Sequence, residues 1–379
     1  MRNPPRFIAL GLLVGLTLVA ALLMTGSVIA QSTESGPQVQ WPPPPEPGVS
    51  NQTCLSCHAQ PDQYLTLPSG EQLYLTVDEG EYNASVHGKS GYACVQCHTN
   101  IKEYPHPPLT AQTRREVTLN YYQSCTRCHS SMYEKTLDST HQKALSEGNK
   151  DAAVCTDCHG AHNVQPPDEP RSRSAQMCDR CHSEIYSTYQ NSVHGAALIG
   201  EGNPDVPACI DCHGVHSVQG PTTSPFLLNS PLICAKCHAN KELMAKYGIS
   251  TDVFNTYVAD FHGKTVIFDE RLPGQTTNKP VCADCHGVHN ILPPDDPHST
   301  VMKDNLLTTC QRCHPDASQN FSAAWLGHYT PDRTKYPLVY YVDLFYKIFI
   351  PTVLGGMAIF VVGDASRRII NRRKGGRHD

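Results

Sequence analysis

The stretch CTRCHSSMYEKTLDSTHQKALSEGNKDAAVCTDCHGAH, from Cys125 to His162, decides the fold. It holds two Cys-x-x-Cys-His units, a spacer carrying His141, and a further histidine, His162, three residues after the second unit's own. Outward from it the same unit recurs. The chain of 379 residues contains CLSCH (Cys54, Cys57, His58), CVQCH (Cys94, Cys97, His98), CTRCH (Cys125, Cys128, His129), CTDCH (Cys155, Cys158, His159) and CDRCH (Cys178, Cys181, His182). CIDCH (Cys209, Cys212, His213), CAKCH (Cys234, Cys237, His238), CADCH (Cys282, Cys285, His286) and CQRCH (Cys310, Cys313, His314) follow. Eighteen cysteines make nine pairs, and none is left over.

That spacing is the attachment signal of a c-type haem: two thiols form thioethers with the vinyl groups on one edge of the porphyrin, and the adjacent imidazole reaches the iron. A tetrahedral zinc site would need two pairs closing on one ion and leaves every following histidine unexplained. A thioredoxin-like redox pair has the same defect. The sequence therefore predicts nine covalently bound haem c groups, with His58, His98, His129, His159, His182, His213, His238, His286 and His314 as proximal iron ligands.

Distal ligands come from an internal repeat. Each module has a first motif, a spacer histidine, a second motif and a trailing histidine, with starts spaced 71, 53, 56 and 76 residues apart. The spacer histidines share a local context: NASVHGK at His87, LDSTHQK at His141, QNSVHGA at His194 and VADFHGK at His262. The trailing set is His106, His162, His216 and His289, and a half module ends with His328. His162, His216 and His289 stand three residues after a proximal ligand, on the proximal side of their own haem. They are expected to bind a neighbour's iron, which brings two porphyrins together. Of twenty histidines this leaves only His298 and His378, and His298 is the substitute should His106 not serve. Every iron is then bis-histidine and closed to substrate.

Composition agrees with a core made largely of porphyrin. Two tryptophans, nine phenylalanines, thirty prolines and 39% hydrophobic residues are a thin supply for a protein-only interior. The expected fold is a multihaem cytochrome c of mostly short α-helices and loops wrapped around a haem chain, with little sheet and one C-terminal transmembrane helix. Without haem the chain is not expected to fold.

The ends set the topology. Arg2 and Arg6 precede the uncharged run Phe7 to Met24, and Val28-Ile29-Ala30 suits cleavage before Gln31; residues 1–30 read as an export signal, or as an uncleaved anchor. Residues 31–50, with WPPPPEPG, read as a stiff proline-rich linker. Residues 51–335 form the nine-haem domain of four and a half two-haem modules, and 336–363 a membrane-spanning helix. Residues 364–379 are a basic cytoplasmic tail with Arg367, Arg368, Arg372, Arg373, Lys374 and Arg377. Asp343 and Lys347 stand one turn apart and are expected to pair. The haem domain then lies on the extracytoplasmic, periplasmic side of the cell membrane. Setting aside Arg2, Arg6 and the tail's net +4, the chain's −5 becomes −11 for the exported part. Nucleic acid is thereby excluded as a partner, and a basic patch on a redox partner is favoured.

These motifs make the chain similar to the membrane-anchored multihaem c-type cytochromes of the doubled Cys-x-x-Cys-His, cytochrome c3-like class, over about Cys54 to His328. The segment WLGHYTPDRTKYPLVYYVDLFYK resembles multihaem subunits that work beside a membrane b-type cytochrome. That likeness implies single-electron exchange with the quinone pool, through a b-type cytochrome or quinol dehydrogenase, and delivery to an extracytoplasmic reductase or acceptor in a respiratory chain. The expected role is an electron carrier rather than a catalytic subunit. The alternative is a reductase or oxidoreductase of nitrogen or sulfur oxyanions, which needs one haem with an open position.

Overall fold

Short helices follow from the motif residues themselves. The computed structural model describes residues 49–375, apart from 168, 221–223, 271–278, 324–326, 329–330 and 335. The export signal, most of the proline-rich linker, Trp325 and the tail residues 376–379, with Arg377 and the spare His378, lie outside the described residues.

Motifs of even number open a helix. Cys155–His159, Cys209–His213 and Cys282–His286 are each five residues long. In each, the aspartate between the cysteines accepts from the backbone N–H just before the motif: Val154 to Asp157, Ala208 to Asp211 and Val281 to Asp284, all at 2.7 Å. Gln96 takes that place in the second motif, accepting from Ala93 N–H at 2.5 Å. A carboxylate in the first turn also meets the positive end of the helix dipole. Gly160, Gly214 and Gly287 end these helices at φ of 76°, 86° and 84°, a left-handed conformation that a side chain resists. The chain turns back there, and the trailing histidine follows two residues later.

Odd-numbered motifs instead fall at or just past the ends of helical segments. Ser224–His238 carries CAKCH in its last turn, and Arg173–Asp179 and Leu306–Gln311 each end within a motif. The spacer histidines sit in the first turn of capped helices. Ser85, Ser139 and Ser192 accept from Gly88, Gln142 and Gly195 N–H at 3.0, 3.1 and 3.1 Å. These serines are only 1–3% exposed, so each satisfies a helix-end donor shielded from water. Asp260 takes the same position before His262.

The two-stranded antiparallel hairpin Tyr64–Thr66 and Gln72–Tyr74 is the only sheet among the described residues. Side-chain packing is correspondingly sparse. One apolar cluster joins Ala175, Tyr189, Leu198 and Ala208, with Tyr186 and Ile210 against it. Mostly helical structure with almost no sheet is what the sequence leads one to expect.

The C-terminal helix, Pro337–Gly375, is 39 residues long. At 1.5 Å per residue it extends about 58 Å, beyond the ~30 Å of a bilayer's hydrocarbon. Its apolar window has mean hydropathy 1.9 with no part buried in protein, and among the described residues it is the one helix long and apolar enough to cross a membrane. Asp343 and Lys347 pair at 2.7 Å, one turn apart. The helix runs past the apolar stretch and through Gly363 into the basic residues, where Arg368 pairs with Asp364 at 2.7 Å.

Candidate haem-iron sites

Each motif histidine faces one histidine of the expected distal set. Ring centroids are 6.0–6.3 Å apart in nine pairs: His58–His106, His98–His162, His129–His87, His159–His216, His182–His141, His213–His289, His238–His194, His286–His328 and His314–His262. Two imidazoles axial to one metal, each with a bond of about 2.0 Å and a ring nitrogen about 1.1 Å from its centroid, stand about 6.2 Å apart. The spacing therefore fits an iron between each pair. All eighteen cysteines are free of disulfides, as attachment to porphyrin requires. The spare His298 is 87% exposed beside Asp296, away from any such pair.

The pairing is regular. A spacer histidine faces the first motif of the next module, and a trailing histidine faces the second motif of the module before. His106, in the first module, has no module before it and faces that module's own first motif. His328 closes the other end.

Backbone bonds fasten this exchange. Val86 N–H donates to Val164 O at 2.9 Å, Thr140 to Val218 at 2.8 Å and Val193 to Ile291 at 2.8 Å. Each joins the residue before a spacer histidine to the residue two after the next module's trailing histidine, so one hydrogen bond fixes two distal imidazoles. The glycines after His87, His194 and His262 allow this close packing. A Cβ on Gly88, Gly195 or Gly263 would overlap the carbonyl of Tyr82, Tyr189 or Tyr257. Those tyrosines reach forward to the next motif, donating to Tyr92 O at 2.5 Å, Pro207 O at 2.6 Å and Pro280 O at 3.0 Å.

Cysteines of successive motifs also meet. The side chains of Cys54 and Cys94 lie side by side, as do those of Cys125 and Cys155, Cys178 and Cys209, and Cys234 and Cys282. Across module boundaries, Cys97 lies near Cys128, Cys158 near Cys178, Cys212 near Cys234, and Cys285 near Cys310. The nine Cys-x-x-Cys pairs thus follow one another without a gap. Arginines brace the loops that lead into them. Arg115 donates to both oxygens of Asp157 at 2.9 Å and to the carbonyls of Lys150 and Ala152 at 2.5 Å. Arg171 repeats the contact with Asp211 at 2.6 Å.

Electrostatics suit metal binding by neutral imidazole. Burial, then the neighbouring His162 and His58, lowers the His98 pKa to about 4. Burial and then His238 lowers that of His194 to about 4. Tyr82 is pushed up to about 12, by burial and then by Cys94 and Cys97.

Reading the sequence alone missed the capping serines, the motif aspartates, and Arg115 and Arg171. The signals were present as a Ser or Asp two residues before each spacer histidine and an Asp between the cysteines of three even motifs.

Comparison with known families agrees with this geometry. The family model described as cytochrome c3 matches residues 86–183. That span holds four of the nine motifs and the histidines His87, His106, His141 and His162. It supports a multihaem c-type cytochrome that binds haem c covalently and transfers electrons. No curated protein matches the chain.

Proposed function

We propose that the chain is a nonahaem cytochrome c, anchored by its C-terminal helix. It would carry single electrons between a membrane quinol or b-type cytochrome partner and an extracytoplasmic reductase or acceptor. Bound haem c supplies the one-electron iron chemistry. The protein's part is to hold each iron between two imidazoles and to keep successive attachment points in contact. In the proposed assignment the first to ninth irons take His106, His162, His87, His216, His141, His289, His194, His328 and His262 as distal ligands.

The observation that carries this reading is the closed set of nine facing imidazole pairs at 6.0–6.3 Å. A second imidazole opposite every motif histidine favours a carrier over an oxyanion-converting enzyme, whose reacting iron needs an open position. The basic residues that follow the apolar helix support a cytoplasmic tail, and hence a periplasmic haem domain. The test is to purify the full chain with its haems, count haem per chain, and follow its reduction in vesicles that carry a quinol-oxidising b-type cytochrome. Nine haems reduced through the membrane partner are expected. Turnover of nitrite, hydroxylamine or tetrathionate by a high-spin haem would overturn the carrier assignment.

A further inference from the structure

The first two sites differ in what stands behind their imidazoles. His58 Nδ1 lies 2.9 Å from Leu75 O, and His106 Nδ1 lies 2.9 Å from Glu103 O. A histidine that binds metal through Nε2 keeps its proton on Nδ1, so both imidazoles of the first site donate to backbone carbonyls. His98 is the opposite case. Its Nδ1 is buried and has no hydrogen-bond partner. Tyr121 packs on the ring, with centroids 5.1 Å apart and planes 55° apart. The two sites are neighbours, since the side chains of Cys54 and Cys94 lie side by side.

A buried polar hydrogen without an acceptor is destabilising, so its presence at an iron ligand calls for a reason. A carbonyl that accepts from Nδ1–H makes an imidazole a stronger electron donor and favours the oxidised iron, while its absence and a dry surrounding favour the reduced one. We propose that His98 tunes its iron upward through its unpaired Nδ1–H, making the His98–His162 site the electron-accepting well beside a lower-potential terminal site at His58–His106. Electrons arriving along the chain would rest at the second site before leaving through the first. His98 acts here as ligand and tuning group, and the two carbonyls act as positioning groups for the first site.

This inference rests on an iron lying between each imidazole pair. Its test is a redox titration of the haem-loaded full chain, followed by electron paramagnetic resonance, for wild type, H162M and H106M. Each variant should remove one bis-histidine component, which checks the iron assignment by itself. The component lost in H162M should titrate at a higher potential in the wild type than the one lost in H106M. The reverse order, or equal potentials, would overturn the proposal while leaving the iron assignment standing. A second pair of variants avoids touching a ligand. Y121Q offers an amide oxygen to His98 and should shift that site's potential downward relative to Y121L. Equal potentials in Y121Q and Y121L would count against a tuning role for the bare Nδ1–H.

Discussion

Sites closed by a trailing histidine differ from those closed by a spacer histidine. In the first group, His58–His106, His98–His162, His159–His216, His213–His289 and His286–His328, the ring planes are 9–31° apart. In the second, His129–His87, His182–His141, His238–His194 and His314–His262, they are 31–62° apart. The origin is local. Three of the trailing histidines leave a glycine turn directly behind a motif, while each spacer histidine is set by the first turn of a capped helix. Two ways of delivering one side chain set two ranges of ring twist that meet at 31°, and beyond the first site the two deliveries alternate along the chain.

Ligand removal should break the comparison most visibly. Replacing Cys155 and Cys158 by serine removes an attachment point within the interlocked centre, and should abolish cooperative unfolding of the purified chain by circular dichroism. The same change at Cys54 and Cys57 touches only the end and should leave most of the helical signal. Next comes H216A. It should turn the haem at Cys155 and Cys158 high-spin, and leave the haem at Cys209 and Cys212 bis-histidine. H106A should act only on the haem at Cys54 and Cys57.

Smaller effects test the supports. G195A forces a Cβ onto the Tyr189 carbonyl and should cost about 2–4 kcal/mol, read as a lower thermal midpoint of the haem-loaded protein. G148A meets open space and only the strain of φ 96°, so about 1 kcal/mol is expected. Weakest are the caps. S192A removes a buried cap and should cost about 1–2 kcal/mol, whereas S50A, on an exposed cap 3.2 Å from Gln52 N–H, should cost under about 1 kcal/mol.

Much of the site was legible because haem attachment is written in covalent spacing. The motif cysteines and histidines needed no fold to be found, and the repeat singled out the spacer histidines by position. His162, His216 and His289 could be barred from their own haems by tether length alone. Which motif histidine each one faces could not be read, because it depends on contacts such as Val86 with Val164, and Val193 with Ile291, that join residues 78 and 98 positions apart. The sparse side-chain core was legible from composition. The hairpin at Tyr64–Thr66 and Gln72–Tyr74 was not, since three-residue strands carry too short an alternation to stand out.

The central claim is that each of nine irons sits between one motif imidazole and one imidazole delivered from elsewhere in the chain. Quantitative electron paramagnetic resonance of the fully oxidised, haem-loaded protein tests it most directly. Nine low-spin bis-histidine irons per chain are predicted, with ring planes ranging from nearly parallel at His58–His106, 9° apart, to strongly twisted at His129–His87, 62° apart. A count below nine, or a stoichiometric high-spin signal, would contradict it.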